Sequence, residues 1–220
     1  MLHDLRHLEE EKKVMAARLL IEGQEEERKR VAKELHDGLG VLLSAANIQI
    51  SSIKHESAEN KSLIDKATNI LKQAMGDVRK ISHNMMPGLL TKLGIFEAIR
   101  DLIDNIDETG ELSASYRVSG TEDRLPENTE IMLYRIIQEM INNTLKHAGA
   151  KTIIIDMRVV PDQLDVTYSD DGIGFDIESK LAAKSIGLQS VLSRLNLLDA
   201  KLNFESKKGE GAIFHIKIPI

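Results

Sequence analysis

Residues 1 to about 54 hold neither a proline nor a cluster of turn residues, and only isolated glycines interrupt them. A helix of that length exceeds what an ordinary globular core accommodates, so the segment predicts a coiled coil or the arm of a helical bundle. Leu5, Leu8, Met15 and Leu19 sit near heptad spacing, with Lys12 breaking the seam. Glu25 with Lys29, and Glu26 with Arg30, add i,i+4 pairs on the surface. Beginning abruptly inside a helix, the chain reads as a part of something longer. From Val31 the apolar spacing tightens into Val31, Leu35, Leu39, Leu42, Ala46, Ile50 and Ile53. After a polar break from Lys54 to Lys61 comes a matching stripe of Leu63, Ala67, Ile70, Ala74, Val78, Ile81 and Met85. Steps of three and four mark one buried face on each helix. Two such helices form an antiparallel hairpin, and pairing into a four-helix homodimer covers both stripes.

Pro87-Gly88 ends the second helix, and the pattern beyond it is mixed. Helices are expected from Ile95 to about Glu108, from Pro126 to His147 with its proline near the first turn, and from Gly187 to Asp199. Strands are expected at Ser113–Val118, Thr152–Val159, Leu164–Ser169, Leu202–Ser206 and Ala212–Ile218, the last two as a closing hairpin. Strands grouped with helices on one face make an α/β two-layer sandwich with a mixed sheet.

The composition narrows the chemistry. A net charge of −6 argues against a general nucleic-acid footprint. The absence of cysteine removes disulfides, thiolate metal sites and thiol nucleophiles together. No apolar run approaches the roughly 18 residues that span a bilayer, and no signal-peptide pattern is present, so a cytoplasmic setting is expected. Aromatic residues total 3 % and tryptophan is absent, leaving Leu, Ile, Val, Ala and Met to fill the core.

Three segments carry candidate chemistry. In the first, Glu27 to Gly40, His36 lies one residue from Leu35 and so flanks the apolar stripe. Gly40 leaves space one turn on. A carboxylate at Asp37 suits holding Nδ1–H, which leaves Nε2 as the nucleophile. The other histidines, His3, His7, His55, His83 and His215, lack this setting and read as surface residues. In the second segment, Glu139, Asn143 and Lys146 fall at i, i+4 and i+7 on one helical face. Carboxylate and amide oxygens suit Mg²⁺, while Lys146 and His147 suit phosphate oxygens. Asn142 points about 100° away on the same helix. In the third, Asp170-Asp171-Gly172-Ile173-Gly174 follows an apolar strand. A carboxylate there accepts from an exocyclic amine such as adenine's, and Gly172 and Gly174 let backbone close on the ring. Residues 176 to 184 would form a short lid. The stretch from Ser185 to Leu188 would open a helix whose free N–H groups seat phosphate.

With these segments in this order, the chain resembles a two-component sensor histidine kinase, of the subfamily that signals to helix-turn-helix response regulators. Residues 27 to 41 resemble its phosphoacceptor helix. Ile81 to Pro87, with Leu93-Gly94-Ile95, resembles the subfamily's junction. Glu139 to His147 matches the N box, Asp170 to Gly174 the first glycine box, and Gly187-Leu188 the second. The resemblance implies three parts: an N-terminal signalling helix at 1–24, a dimerisation and histidine phosphotransfer domain at 25–90, and a Bergerat-type α/β sandwich ATP-binding domain at 91–220. It implies His36 as phosphoacceptor with Asp37 as orienter and general base, Glu139 assisting metal or water placement, and Mg²⁺ on Asn143 and Glu139. It places ATP against Asn143, Lys146, His147, Asp170, Asp171, Gly172, Gly174, Gly187, Leu188, Gly209 and Gly211. The implied partners are a second copy, a response regulator receiver domain and an upstream sensor module, with no nucleic acid.

Three departures from the family pattern stand out. Asp171 replaces an asparagine in the first glycine box. Ala212, after Gly209-Glu210-Gly211, stands where a threonine is usual and costs one hydroxyl near the nucleotide. Val41 stands four residues after Asp37, where the subfamily often has a glutamine thought to orient a water for dephosphorylation, which predicts a kinase-biased protein. Two rival readings are weaker. An ATP-binding scaffold without turnover has no use for His36-Asp37, and an ATPase or Ser/Thr kinase of the same catalytic fold has no use for the hairpin.

Overall fold

The computed structural model describes residues 2–53, 58–108, 110, 112–175 and 186–220. The expected lid at 176–184, Ser185, the histidine at 55 and the side chains of His3, His7 and His83 lie outside the described residues. The chain divides into two units, Met1–Gly88 and Leu89–Ile220.

The first unit is helical. Helix α1 (Leu2–Glu34) runs into a five-residue π-turn (Leu35–Leu39) and continues as α2 (Gly40–Ser51); α3 (Ala58–Met85) returns. Ile64, Ala67, Leu71, Ala74 and Val78 form the half-buried line of α3, continued by buried Ser82, whose hydroxyl donates to the carbonyl of Ala32 at 2.9 Å. This corrects the single stripe expected for α3. Leu63, Ile70 and Ile81 are 59 %, 68 % and 50 % exposed and make a second line of their own. Steps of seven and eleven residues return to nearly the same helical angle, so the three share one face. On the other arm Leu39, Val41, Leu42 and Ile48 are exposed as well.

At the boundary between the units stands α4 (Gly88–Leu93), a short helix just after the Pro87-Gly88 break and not expected from the sequence. Then come α5 (Ile95–Asp107), β1 (Ser113–Ser119), α6 (Glu127–Asn143), a second π-turn (Thr144–Ala148), β2 (Thr152–Val160), β3 (Gln163–Asp170), α7 (Ile186–Leu197), β4 (Lys201–Ser206) and β5 (Ala212–Pro219). The sheet order is β1-β2-β3-β5-β4, with β1 parallel to β2 and every other pair antiparallel. Alternation sorts the strands: Ile153, Ile155 and Met157, then Leu164, Val166 and Tyr168, then Phe214, Ile216 and Ile218, face inward. They meet Ile99 and Ile103 of α5 and Leu133, Ile136 and Ile137 of α6 in one buried layer. This is the helix-on-sheet sandwich with a mixed sheet that the pattern predicts.

A buried ion pair ties the entry of this unit to α6. Glu130 is 1 % exposed and receives the Arg124 guanidinium at 2.7 Å and, on its other oxygen, the backbone N–H of Leu125 at 3.2 Å. Gly94 passes beside both at a φ of +91°, and a Cβ there would sit 2.7 Å from the Arg124 side chain. Only glycine fits.

Candidate active site

A cavity of about 510 Å³ opens between the π-turn after α6, the strand ends of β3 and β5, and the start of α7. Of the residues expected to bind a nucleotide, Glu139, Asn143, Lys146, His147, Asp170, Gly174, Gly187 and Leu188 line it. Asn142, exposed on α6, lines it too.

At one wall, Glu139 and Asn143 stand one turn apart and partly buried, and the Asn143 amide reaches Glu139 Oε1 at 3.5 Å. Gly187, at the start of α7, lies against the same pair; a Cβ there would meet Glu139 Oε1 and come within 3.4 Å of Asn143 Nδ2. Two hard oxygen donors side by side fit Mg²⁺, which keeps several waters and takes its remaining ligands from substrate phosphates. Among the described residues no group of three or more His, Asp or Glu side chains forms a cage that would hold a metal unaided. Lys146 and His147 are exposed on the π-turn, where they add cationic and hydrogen-bonding capacity at the rim. The turn ends at Gly149, whose φ of +57° closes the helix in the left-handed conformation.

At the other wall stands Asp170, the last residue of β3. Its Oδ1 accepts the N–H of Gly172 at 3.0 Å, and its Oδ2 accepts the hydroxyl of Thr144 at 3.2 Å. Thr144 Oγ1 lies 2.6 Å from the hydroxyl of Tyr168, which forms the cavity floor. Burial pushes that phenol well above its ordinary range, so Tyr168 keeps its proton. Sequence reasoning missed both residues. Tyr168 was visible only as an inward position of β3, and Thr144 only as one more polar residue after Asn143.

Asp171, Gly172, Gly209 and Gly211 are placed behind the cavity, outside its lining. Asp171 Oδ1 accepts the backbone N–H groups of Lys151 and Thr152 at 2.7 and 2.8 Å, which ties the loop to the start of β2. Those bonds hold its carboxyl below the usual range. A Cβ on Gly172 would lie 2.6 Å from Ala148 Cβ. At Gly174, with φ of +59°, it would collide with the carbonyl of Lys207, and at Gly211, with φ of +77°, with the carbonyl of Asp170. Gly172 and Gly174 thus also allow the crossing of one loop over another, and Gly174 lines the cavity as well. Gly209 donates its N–H to Ile173 at 2.6 Å and joins the same crossing.

His36 and Asp37 belong to the helical unit, both exposed on the first π-turn. A Cβ on Gly40 would meet only the carbonyl of Leu35, at 3.6 Å. A π-turn inserted in an α-helix is a rare feature that is frequent at functional sites.

Comparison with known proteins agrees with this layout. Residues 27–90 match the histidine kinase family, and residues 128–220 match the family of histidine kinase-, DNA gyrase B- and HSP90-like ATPases. The chain is 29 % identical over 208 residues to the signal transduction histidine-protein kinase/phosphatase DegS of Brevibacillus brevis, covering 91 % of this chain and 53 % of that protein. It is 27 % identical over 203 residues to the oxygen sensor histidine kinase NreB of Staphylococcus carnosus, covering 91 % and 58 %. The chain therefore spans a little over half the length of these relatives. Among solved structures, the histidine kinase domain of the Erythrobacter litoralis EL346 blue-light activated histidine kinase aligns at 20 % identity and a TM-score of 0.49, over 81 % of this chain and 95 % of that one.

Proposed function

Since this chain belongs to the histidine kinase family, we propose that it moves the γ-phosphoryl group of ATP onto His36 and then onto an aspartate of a response regulator receiver domain. One observation carries the reading: a cavity with the Asp170 carboxylate at one wall and the side-chain oxygens of Glu139 and Asn143, with Lys146 and His147, at the other. Adenine lies against Asp170, and the phosphates run toward Asn143, Lys146 and His147. Glu139 and Asn143 would hold Mg²⁺, which would supply charge compensation for the transferring phosphoryl group. His36 Nε2 attacks phosphorus in line, and the bond to the bridging oxygen breaks with its electron pair leaving on ADP. Asp37 holds the ring and takes the Nδ1 proton as the positive charge develops.

The division of labour follows as 1–24 for signalling, 25–90 for dimerisation and phosphotransfer, and 91–220 for ATP. The helical unit acts as a homodimer, and the reaction belongs to the cytoplasm, where ATP and receiver domains are found. Among the described residues no helix is long and apolar enough to cross a membrane. Hydrolysis of the phospho-regulator is weak, because Val41 offers no hydrogen-bonding atom to hold the attacking water.

Incubation with γ-labelled ATP tests the reading. The label is expected to be acid-labile and base-stable, as a phosphoramidate is, and to vanish in His36→Gln while ATP still binds. A base-labile, acid-stable label, or one that persists in that variant, overturns it.

A further inference from the structure

The bonds around Asp170 have a direction. An ionised carboxylate only accepts, so the single proton of Thr144 goes to Asp170 Oδ2 at 3.2 Å. Two hydroxyl oxygens 2.6 Å apart need a proton between them, and that proton must then come from Tyr168. The chain therefore runs from Tyr168 to Thr144 to Asp170, with the carbonyl of Met140 3.3 Å from the Tyr168 hydroxyl as its weaker alternative acceptor. Thr144 and Tyr168 are 4 % and 1 % exposed, and both line the cavity. Across the sheet, Asp170 pairs in register with Ala212, whose methyl group also faces the cavity. A threonine at 212, usual in the family this chain resembles, would have brought a hydroxyl to the same carboxylate. Here that strand brings none.

We infer that Thr144, backed by Tyr168, is the positioning residue that holds the Asp170 carboxylate in a fixed orientation as an acceptor, and so sets the preference of the cavity for a 6-amino over a 6-oxo purine. With Oδ1 on the Gly172 N–H and Oδ2 on Thr144, the carboxylate cannot rotate without breaking a bond. Its remaining lone pairs accept from an exocyclic amine and repel a carbonyl oxygen. The helix side thereby supplies the hydroxyl that β5 lacks. Without the Thr144 donor, Asp170 turns more freely and no longer presents a fixed acceptor to the exocyclic amine.

This inference rests on the reading of the cavity as an ATP site, and the test separates the two. The full chain is titrated with ATP and with inosine triphosphate, which carries an oxo group in place of the 6-amine and, with it, a hydrogen on N1. Failure of the wild type to bind ATP at all ends the ATP reading itself. Given wild-type binding, Thr144→Val is expected to lower the ATP-to-inosine-triphosphate affinity ratio roughly tenfold, the scale of one lost bond to a charged group. Thr144→Ser keeps the hydroxyl and holds the ratio near wild type. Tyr168→Phe removes only the head of the chain and lowers the ratio less, in the same direction. A merely structural Thr144 would weaken both nucleotides in parallel and leave the ratio unchanged, which overturns the inference. Should Thr144→Val fail to fold, an unchanged ratio in Tyr168→Phe overturns it equally.

Discussion

Asp171 illustrates how a residue beside a binding site serves the scaffold. Its carboxylate accepts two backbone N–H groups at the start of β2 and lies outside the cavity lining. An amide oxygen accepts as a carboxylate does, so Asp171→Asn is expected to keep the fold and ATP binding at neutral pH. Asp171→Ala strands both donors and lowers the melting temperature by a few degrees, roughly what one lost bond costs a chain of this size. Because the folded state holds this carboxyl below its unfolded range, its stabilisation is present above that range and fades as pH falls through the lowered value. A melting curve across acidic pH should therefore be flatter for Asp171→Asn than for the wild type; identical pH profiles would discard this account. Val41 poses the opposite case, a position whose consequence is chemical. It is exposed in the first turn of α2, four residues after Asp37, and apolar. Decay of a purified phospho-regulator is expected to be slow with the wild type and several-fold faster with Val41→Gln, a change on the order of 1 kcal/mol for one hydrogen bond to the attacking water. Fast decay with the wild type, or no gain from glutamine, removes Val41 from the explanation.

At the scale of elements, periodicity made the long helices and the alternating strands legible, since 3.6 and 2 are the repeats that burial imposes. What stayed hidden depended on geometry that no repeat encodes. The π-turns at Leu35–Leu39 and Thr144–Ala148 differ from α-helix by one hydrogen-bond step, and residues such as Leu35 or Leu145 fit either. The six-residue α4 follows Pro87-Gly88, a pair that reads as a break. The candidate residues on the cavity wall could be read because acids, amides and glycines are conspicuous, whereas Thr144 and Tyr168 act through partners distant in sequence. The Arg124–Glu130 pair is hidden for a different reason: its meaning lies in burial. Glu130 is 1 % exposed while Arg124 remains 47 % exposed, so removing the arginine leaves a buried carboxylate with only backbone donors. Arg124→Ala is expected to destabilise the second unit by about 2–3 kcal/mol, below the range for a fully buried pair because the guanidinium is half in water. Chemical denaturation measures it, and a loss under about 0.5 kcal/mol, the scale of an ordinary surface change, would make the pair ornamental.

On the scale of the whole molecule, the question is what covers the apolar line that the hairpin leaves outside. Leu63, Ile70 and Ile81 on α3, with Leu39, Leu42 and Ile48 on the other arm, are each between 47 % and 68 % exposed in a single chain. Six large apolar side chains on one 88-residue unit exceed the scattered exposure normal for a monomer's surface, and the three on α3 share one helical face. Two copies related by a twofold axis would present the same line to one another, which is the self-complementary contact that a dimeric bundle needs. Among the described residues the second unit exposes large apolar side chains only singly, so the interface is expected in the helices. Ile70 gives the sharpest test. It is 68 % exposed within its own chain, so a charge there costs the single hairpin little, yet it would be buried unpaired in a dimer. Light scattering of the full chain at micromolar concentration should show a dimer for the wild type and a monomer for Ile70→Glu, with helical circular dichroism largely retained in both. A monomeric wild type, or a variant that stays dimeric, would place the covering surface elsewhere.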